Sequence, residues 1–262
     1  MTHPTPRALV LVAGGTNCDR ETILALERAG AAAERIHIQS LIDSPDKIFQ
    51  YDLAVIPGGF TYGDDVAAGK ILAIQIQHRL GDPFREFAAS GRPILGICNG
   101  FQVLVKAGLL PDLAKEQKPQ SVTLTSNDCG RFVCRWVRLK SCSPLSIFSA
   151  PGTHIEMPVA HAEGKLVAPP QVIEDLKLAK QIAYVYSDNT NPNGSIDDIA
   201  GLCDPTGHIL GLMPHPERNV SWHHHPLWFR KTRLQKTSPC ERAGEGMGIF
   251  QNMIQHCREK IS

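Results

Sequence analysis

The chain has 262 residues, 27 Lys and Arg against 26 Asp and Glu, a net charge of +1 and 42% hydrophobic residues. That balance argues against nucleic acid as a partner, and no apolar run approaches the roughly 20 residues of a membrane span. The N-terminus has no signal-peptide core, so a cytoplasmic, non-membrane protein with a single domain over 1–262 is expected, its eight cysteines being free thiols rather than a disulfide framework.

Residues 8–13, Ala-Leu-Val-Leu-Val-Ala, form a continuous apolar run and predict a strand covered on both faces. It ends in Gly14-Gly15-Thr16-Asn17-Cys18-Asp19, and a helix with Ile23, Leu24 and Leu26 follows and stops at Gly30. Residues 33–38 and 53–56 are the next strands. Strand, helix, strand in this rhythm predicts a mostly parallel sheet with helices on both faces, with ligands collecting at the carboxyl ends of the strands. The third strand runs into Pro57-Gly58-Gly59, where adjacent glycines either turn backbone N–H groups outward towards an oxyanion or simply make a tight bend. A helix is predicted over residues 66–89, interrupted at Gly81-Asp82-Pro83.

An apolar strand over 93–97 leads into Gly96-Ile97-Cys98-Asn99-Gly100-Phe101-Gln102 and then into a helical pattern of Phe101, Val103, Leu104 and Leu109. Strand, Gly-x-Cys-x-Gly, helix is the thiol counterpart of the nucleophile elbow, a tight turn that lifts the reacting atom clear of the sheet. The helix N-terminus stabilises negative charge on that sulfur. Taken alone, Cys98 can equally be a buried cysteine at a strand-to-loop junction.

Residues 120–168 alternate polar and apolar and predict antiparallel strands that extend the sheet, with no helix until about residue 172. His161 and Glu163 lie among small residues there, and a lone histidine in such a place is read as structural. Strands over 182–187 and 199–203 flank the turn signal Asn189-Thr190-Asn191-Pro192-Asn193-Gly194-Ser195. The last apolar strand, 209–213, ends in Pro214-His215-Pro216-Glu217-Arg218, whose prolines restrict the backbone around an imidazole and a carboxylate. A nucleophilic cysteine needs a base, and the base needs an orienting group on its other nitrogen. His215 and Glu217 supply both if the fold brings His215 to Cys98.

An inserted loop over 221–245 carries His223-His224-His225 and the basic run 230–236. Consecutive side chains diverge and no carboxylate or cysteine accompanies them, so no metal site is expected; nor do Cys129 and Cys134, without a histidine pair, predict one. The basic run reads as a solvated loop or a docking surface. An amphipathic helix over 246–260 closes the chain.

The elbow motif together with Pro214-His215-Pro216-Glu217 resembles the class I (triad) glutamine amidotransferases. Gly15-Thr16-Asn17-Cys18-Asp19, Gly58-Gly59-Phe60-Thr61-Tyr62-Gly63-Asp64, Ala160-His161-Ala162-Glu163-Gly164 and Asn191-Pro192-Asn193-Gly194-Ser195 narrow the resemblance to the family of phosphoribosylformylglycinamidine synthase glutaminase subunits, PurQ. The resemblance implies a flavodoxin-like α/β fold with antiparallel extension strands. It implies Cys98 as nucleophile, His215 as general base and acid, Glu217 as the group orienting His215, and an oxyanion hole from the backbone of Asn99 with Gly58 or Gly59. Gln102 is implied to hold the substrate, L-glutamine. It further implies a PurL-type synthetase partner that carries ATP and magnesium, a small PurS-type subunit bridging the two, and no cofactor or metal in this chain. Two departures touch partner docking: Asp64-Asp65-Val66-Ala67-Ala68-Gly69 lacks the family's usual continuation, and 221–245 is longer than in compact members. The competing readings are an amidotransferase subunit for another synthetase, a non-catalytic regulatory subunit on the same fold, and a cysteine hydrolase of the related flavodoxin-like group.

Overall fold

The computed structural model describes residues 5–111, 120–235 and 242–261. β1 (Arg7–Val12), α1 (Asp19–Ala29), β2 (Ala32–His37), α2 (Ile38–Asp43) and β3 (Leu53–Ile56) come first, then α3 (Lys70–Gln75), α4 (Gly81–Ala89), β4 (Ile94–Ile97) and α5 (Asn99–Lys106). β5 (Thr123–Ser126), β6 (Val133–Ser141), β7 (His154–His161), β8 (Glu163–Val167), α6 (Pro170–Leu178), β9 (Ile182–Ser187), β10 (Ile199–Cys203) and β11 (Ile209–Leu212) follow, and α7 (Trp228–Gln235) and α8 (Met247–Ile261) come last.

Nine strands form one sheet in the order β2-β1-β3-β4-β11-β10-β9-β6-β7. The first five are mutually parallel, in the doubly wound order of flavodoxin-like folds. From β11 onwards each neighbour is antiparallel. Every residue of β3, β4 and β11 is buried. Because successive strand residues face opposite sides, both faces of this region are covered. α1 packs on β1, β2 and α8, while α5 packs on β3, β4, β11 and α3.

Four expectations need correction. The helix expected over 66–89 starts only at Lys70, because Asp64, Val66 and Gly69 all have positive φ (54°, 72° and 69°), which no right-handed helix accommodates. Its interruption is a π-helical turn, Ile76–Leu80, just ahead of Gly81; Asp82 and Pro83 fit the first turn of α4, where a missing N–H costs nothing. β5 does not extend the main sheet but pairs with β8 in a separate two-stranded sheet. Finally, the insertion is not only loop: α7 lies within it, and its basic residues to Arg233 are helical, with Lys236 outside the described residues.

Candidate active site

β4 and β11 are parallel neighbours with Ile97 opposite Leu212, so the chain leaves both strands at the same edge of the sheet. Cys98 is the first residue past β4, and its backbone N–H donates to the Leu212 carbonyl at 2.7 Å. Its dihedrals are φ 51° and ψ −104°, an uncommon conformation for a residue with a side chain. The turn survives because its surroundings enforce it: a Cβ on Gly96 would lie 2.7 Å from the Gly100 carbonyl oxygen, and one on Gly100 would overlap the Ile56 carbonyl. The sulfur therefore stands at the N-terminus of α5, 3.8 Å from the Ala160 carbonyl oxygen.

His215 arrives from β11. Its backbone N–H donates to Pro158 at 2.9 Å, and Pro216 begins the 3-10 turn Pro216–Asn219 that carries Glu217. His215 Nδ1 lies 2.6 Å from Glu217 Oε1, with both side chains buried. A carboxylate can only accept, so Nδ1 holds a proton and Nε2 is the nitrogen left free to exchange one. Nε2 is buried with no hydrogen-bond partner among the described residues. Burial opposes charge on His215, but the Glu217 carboxylate and then the Cys98 sulfur outweigh it and hold the pKa well above the ordinary histidine value. Cys98, His215 and Glu217, proposed from sequence as a triad, thus meet at one sheet edge.

Gly58 and Gly59 follow β3 at the same edge. The Gly58 carbonyl accepts from Asn17 and Cys18 at 3.3 and 3.2 Å, and Gly59 bridges Thr16. A Cβ on Gly59 would lie 2.7 Å from the Gly15 carbonyl oxygen and 2.9 Å from Asn17 N, so this close approach requires glycine. Asn99 opens α5, and the first N–H groups of a helix have no intrahelical partner.

The Asn99 side chain does work the sequence did not suggest. Its Oδ1 accepts from Thr61 Oγ1 at 2.7 Å, and its Nδ2 donates to Asp64 Oδ1 and Gln102 Oε1, each at 3.1 Å. Gln102 Nε2 in turn donates to the Glu163 carbonyl at 2.5 Å. Gln102 is thus a brace between α5 and the start of β8, with one N–H and one lone pair left over. Asn99 and Gln102 tie the elbow to both segments that flank it. Thr61, Asp64 and Glu163 lie in motifs visible in the sequence, but nothing in spacing alone ties them to Asn99.

His161 is more than an isolated core histidine. Its Nδ1 donates to Asn127 Oδ1 at 3.0 Å, Asn127 Nδ2 donates back to the His161 carbonyl at 2.9 Å, and Nε2 is buried without a partner among the described residues. Burial, and then the charge of His215, push its pKa down to about 4, so it is neutral. Cys18 was also missed. Its sulfur lies 4.0 Å from His215 Nδ1 and accepts from Arg218 Nη2 at 2.9 Å. The three consecutive histidines diverge: His223 lies tilted against Trp228 at 4.8 Å, whereas His225 lies tilted against Trp136 at 4.5 Å and bonds Glu156 at 2.7 Å.

The sequence matches the CobB/CobQ-like glutamine amidotransferase domain over residues 5–257. It is 41% identical to a phosphoribosylformylglycinamidine synthase subunit PurQ of Dehalococcoides mccartyi over 262 residues, 97% of this chain and 98% of that one. The chain belongs to the PurQ family of glutamine amidotransferases. A family member from Pyrococcus furiosus is 44% identical over 219 residues, 80% of this chain and 87% of its own. The fold agrees with a chain in the structure of PurLQS from Thermotoga maritima, at TM-score 0.73 and 31% identity, over 96% of this chain and 99% of that one. A Thermotoga maritima glutamine amidotransferase, 14% identical with TM-score 0.52 over 99% of each chain, shares the class I amidotransferase fold.

Proposed function

We propose that this chain is the glutaminase subunit of phosphoribosylformylglycinamidine synthase in purine biosynthesis. It hydrolyses L-glutamine to glutamate and ammonia and passes the ammonia to an ATP-dependent synthetase subunit, which converts formylglycinamide ribonucleotide to the amidine. The observation that carries the reading is the strained Cys98 elbow set beside the buried 2.6 Å His215–Glu217 pair that follows the neighbouring strand.

His215 Nε2 takes the Cys98 proton while Glu217 holds Nδ1–H, and the sulfur attacks the side-chain carboxamide of glutamine. The tetrahedral oxygen is received by the backbone N–H of Asn99 and one from Gly58 or Gly59. Donors of this kind are worth about 3 to 4 kcal/mol each in acyl transfer. The same proton, returned from His215 to the departing nitrogen, releases ammonia and leaves a glutamyl thioester. Water then attacks the thioester carbonyl with His215 again as base; glutamate leaves, and the sulfur regains its proton. Gln102 uses its remaining N–H and lone pair on glutamine while bracing Glu163.

Family membership and the PurLQS structure of the Thermotoga relative support a PurL-type synthetase and a PurS-type subunit as partners. ATP and magnesium belong, in this proposal, to the synthetase. No helix among the described residues is long and apolar enough to cross a membrane. A cytoplasmic setting is supported by the seven described cysteines, all free thiols. The test is glutamate release by the chain and by Cys98→Ala, alone and with the PurL-type subunit, ATP and formylglycinamide ribonucleotide. Release that needs Cys98 and rises with partner and acceptor is expected. Cys98-dependent release that this partner never stimulates would assign the chain to another synthetase.

A further inference from the structure

Cys18 has no part in the chemistry above, yet it is buried against the catalytic pair. Among the described residues, Cys18, His215 and Glu217 form the group of buried cysteine, histidine and carboxylate whose donor atoms all lie within 4.8 Å of one another. Glu217 Oε2 is buried and has no hydrogen-bond partner among the described residues, although Oε1 is held by His215. A Cβ on Gly58 would lie 3.2 Å from Cys18 Sγ and 3.3 Å from His215 Nδ1, so glycine keeps the flank of both donors open.

We propose that Cys18 Sγ, His215 Nδ1 and Glu217 Oε2 form an inhibitory site for a zinc-like divalent cation. Thiolate, imidazole and carboxylate are the ligand types that zinc selects. With metal bonds of roughly 2.3 Å to sulfur and 2.0 Å to nitrogen, tetrahedral geometry sets sulfur and nitrogen about 3.5 Å apart. The observed 4.0 Å between Cys18 Sγ and His215 Nδ1 needs a closure of about 0.5 Å, and Glu217 Oε1, 2.6 Å from Nδ1, swings away as Oε2 turns to the ion. Three protein ligands leave the fourth position to water. Binding displaces the Cys18 thiol proton, while the metal-bound imidazole stays neutral with its one proton on Nε2. With a metal on Nδ1 and that proton on Nε2, the ring has no lone pair left to take the Cys98 proton.

Arg218 Nη2, 2.9 Å from the sulfur, opposes a dication, so affinity falls below that of a closed four-ligand structural site. The inhibitory consequence rests on the role given to His215 above; metal binding itself does not.

Cobalt(II) is the probe, because a bound thiolate gives it a near-ultraviolet charge-transfer band whether or not the protein turns over glutamine. Wild type and Cys98→Ser, titrated with cobalt, are expected to give the band at one metal per chain. Cys18→Ser, which keeps a polar atom for Arg218, loses it, and Glu217→Gln keeps it with weaker binding. Zinc inhibition of glutamate release shifts to at least about tenfold higher concentration in Cys18→Ser. A band absent from wild type, retained in Cys18→Ser or lost in Cys98→Ser overturns the site. If the band behaves as expected but no variant or condition releases glutamate, the metal site stands and the glutaminase reading fails.

Discussion

Gly58→Ala tests whether the His215 imidazole is held in place by packing. The added methyl would lie 2.8 Å from His215 Cε1, 3.2 Å from Cys18 Sγ and 3.3 Å from His215 Nδ1. Carbon atoms rest at about 3.5 Å or more, so the ring has to move by roughly 0.7 Å. It cannot do so freely: it is 2% exposed and Nδ1 is tied at 2.6 Å to a carboxylate that is itself buried. Overpacking a closed site costs about 1–3 kcal/mol, and a 1 Å misplacement at a catalytic centre costs on the order of 100-fold in rate. The expected result is a kcat for glutamate release about 10- to 100-fold below wild type, with a lower thermal midpoint by circular dichroism. Gly248→Ala is the control, since a Cβ there meets nothing within 4 Å; it should leave kcat alone and hold or raise stability. Wild-type kcat at wild-type stability in Gly58→Ala would refute the packing described for His215.

Three other outcomes follow from separate parts of the molecule. Glu217→Gln removes the charge that selects the Nδ1–H tautomer; a comparable change in a serine triad costs about 10⁴-fold, and kcat here should fall by about 10³–10⁴ with the fold retained by circular dichroism. Burial favours protonation of Glu156, but Lys231 and Arg138, with His225, outweigh it and bring the pKa from its ordinary 4.5 down to about 2. The ion pairs are partly exposed, so after screening they contribute about 1 kcal/mol, fully present above pH 4.5 and lost as pH falls through 2; urea titrations of wild type and Glu156→Gln should differ at pH 6 and converge near the lower value. Val66 is 90% exposed with φ 72°, where a β-branched residue is strained by about 1–2 kcal/mol. Val66→Asn should therefore raise the thermal midpoint by about 2–4 °C, and an unchanged or lower midpoint counts against strain there.

The parallel half of the fold was legible because burial on both faces leaves runs such as 8–13 and 53–56 almost free of polar residues, and punctuation such as Gly30 marks the helix end. The placement of Cys98 and His215 was legible for a related reason: each follows an apolar strand directly, and parallel strands deliver their carboxyl ends to one edge. The onset of α3 at Lys70 was not, since Val66 adopts a left-handed conformation that its β-branched side chain disfavours. α7 was hidden by a run whose basic and aromatic residues show no clear apolar stripe. Cys18 stayed unassigned because its neighbours, His215 and Arg218, lie about 200 residues away. His215 is anchored through its backbone N–H to the Pro158 carbonyl, a contact no local pattern encodes.

The central claim is that Cys98 carries the glutamyl group. The most direct measurement is acid quench of the chain mixed with glutamine and its synthetase partner, followed by peptide mass mapping. A glutamyl adduct on the peptide containing Cys98, labile to hydroxylamine and absent from Cys98→Ala, is the result expected. Glutamate released at full rate with no adduct, or an adduct on another cysteine, would contradict it.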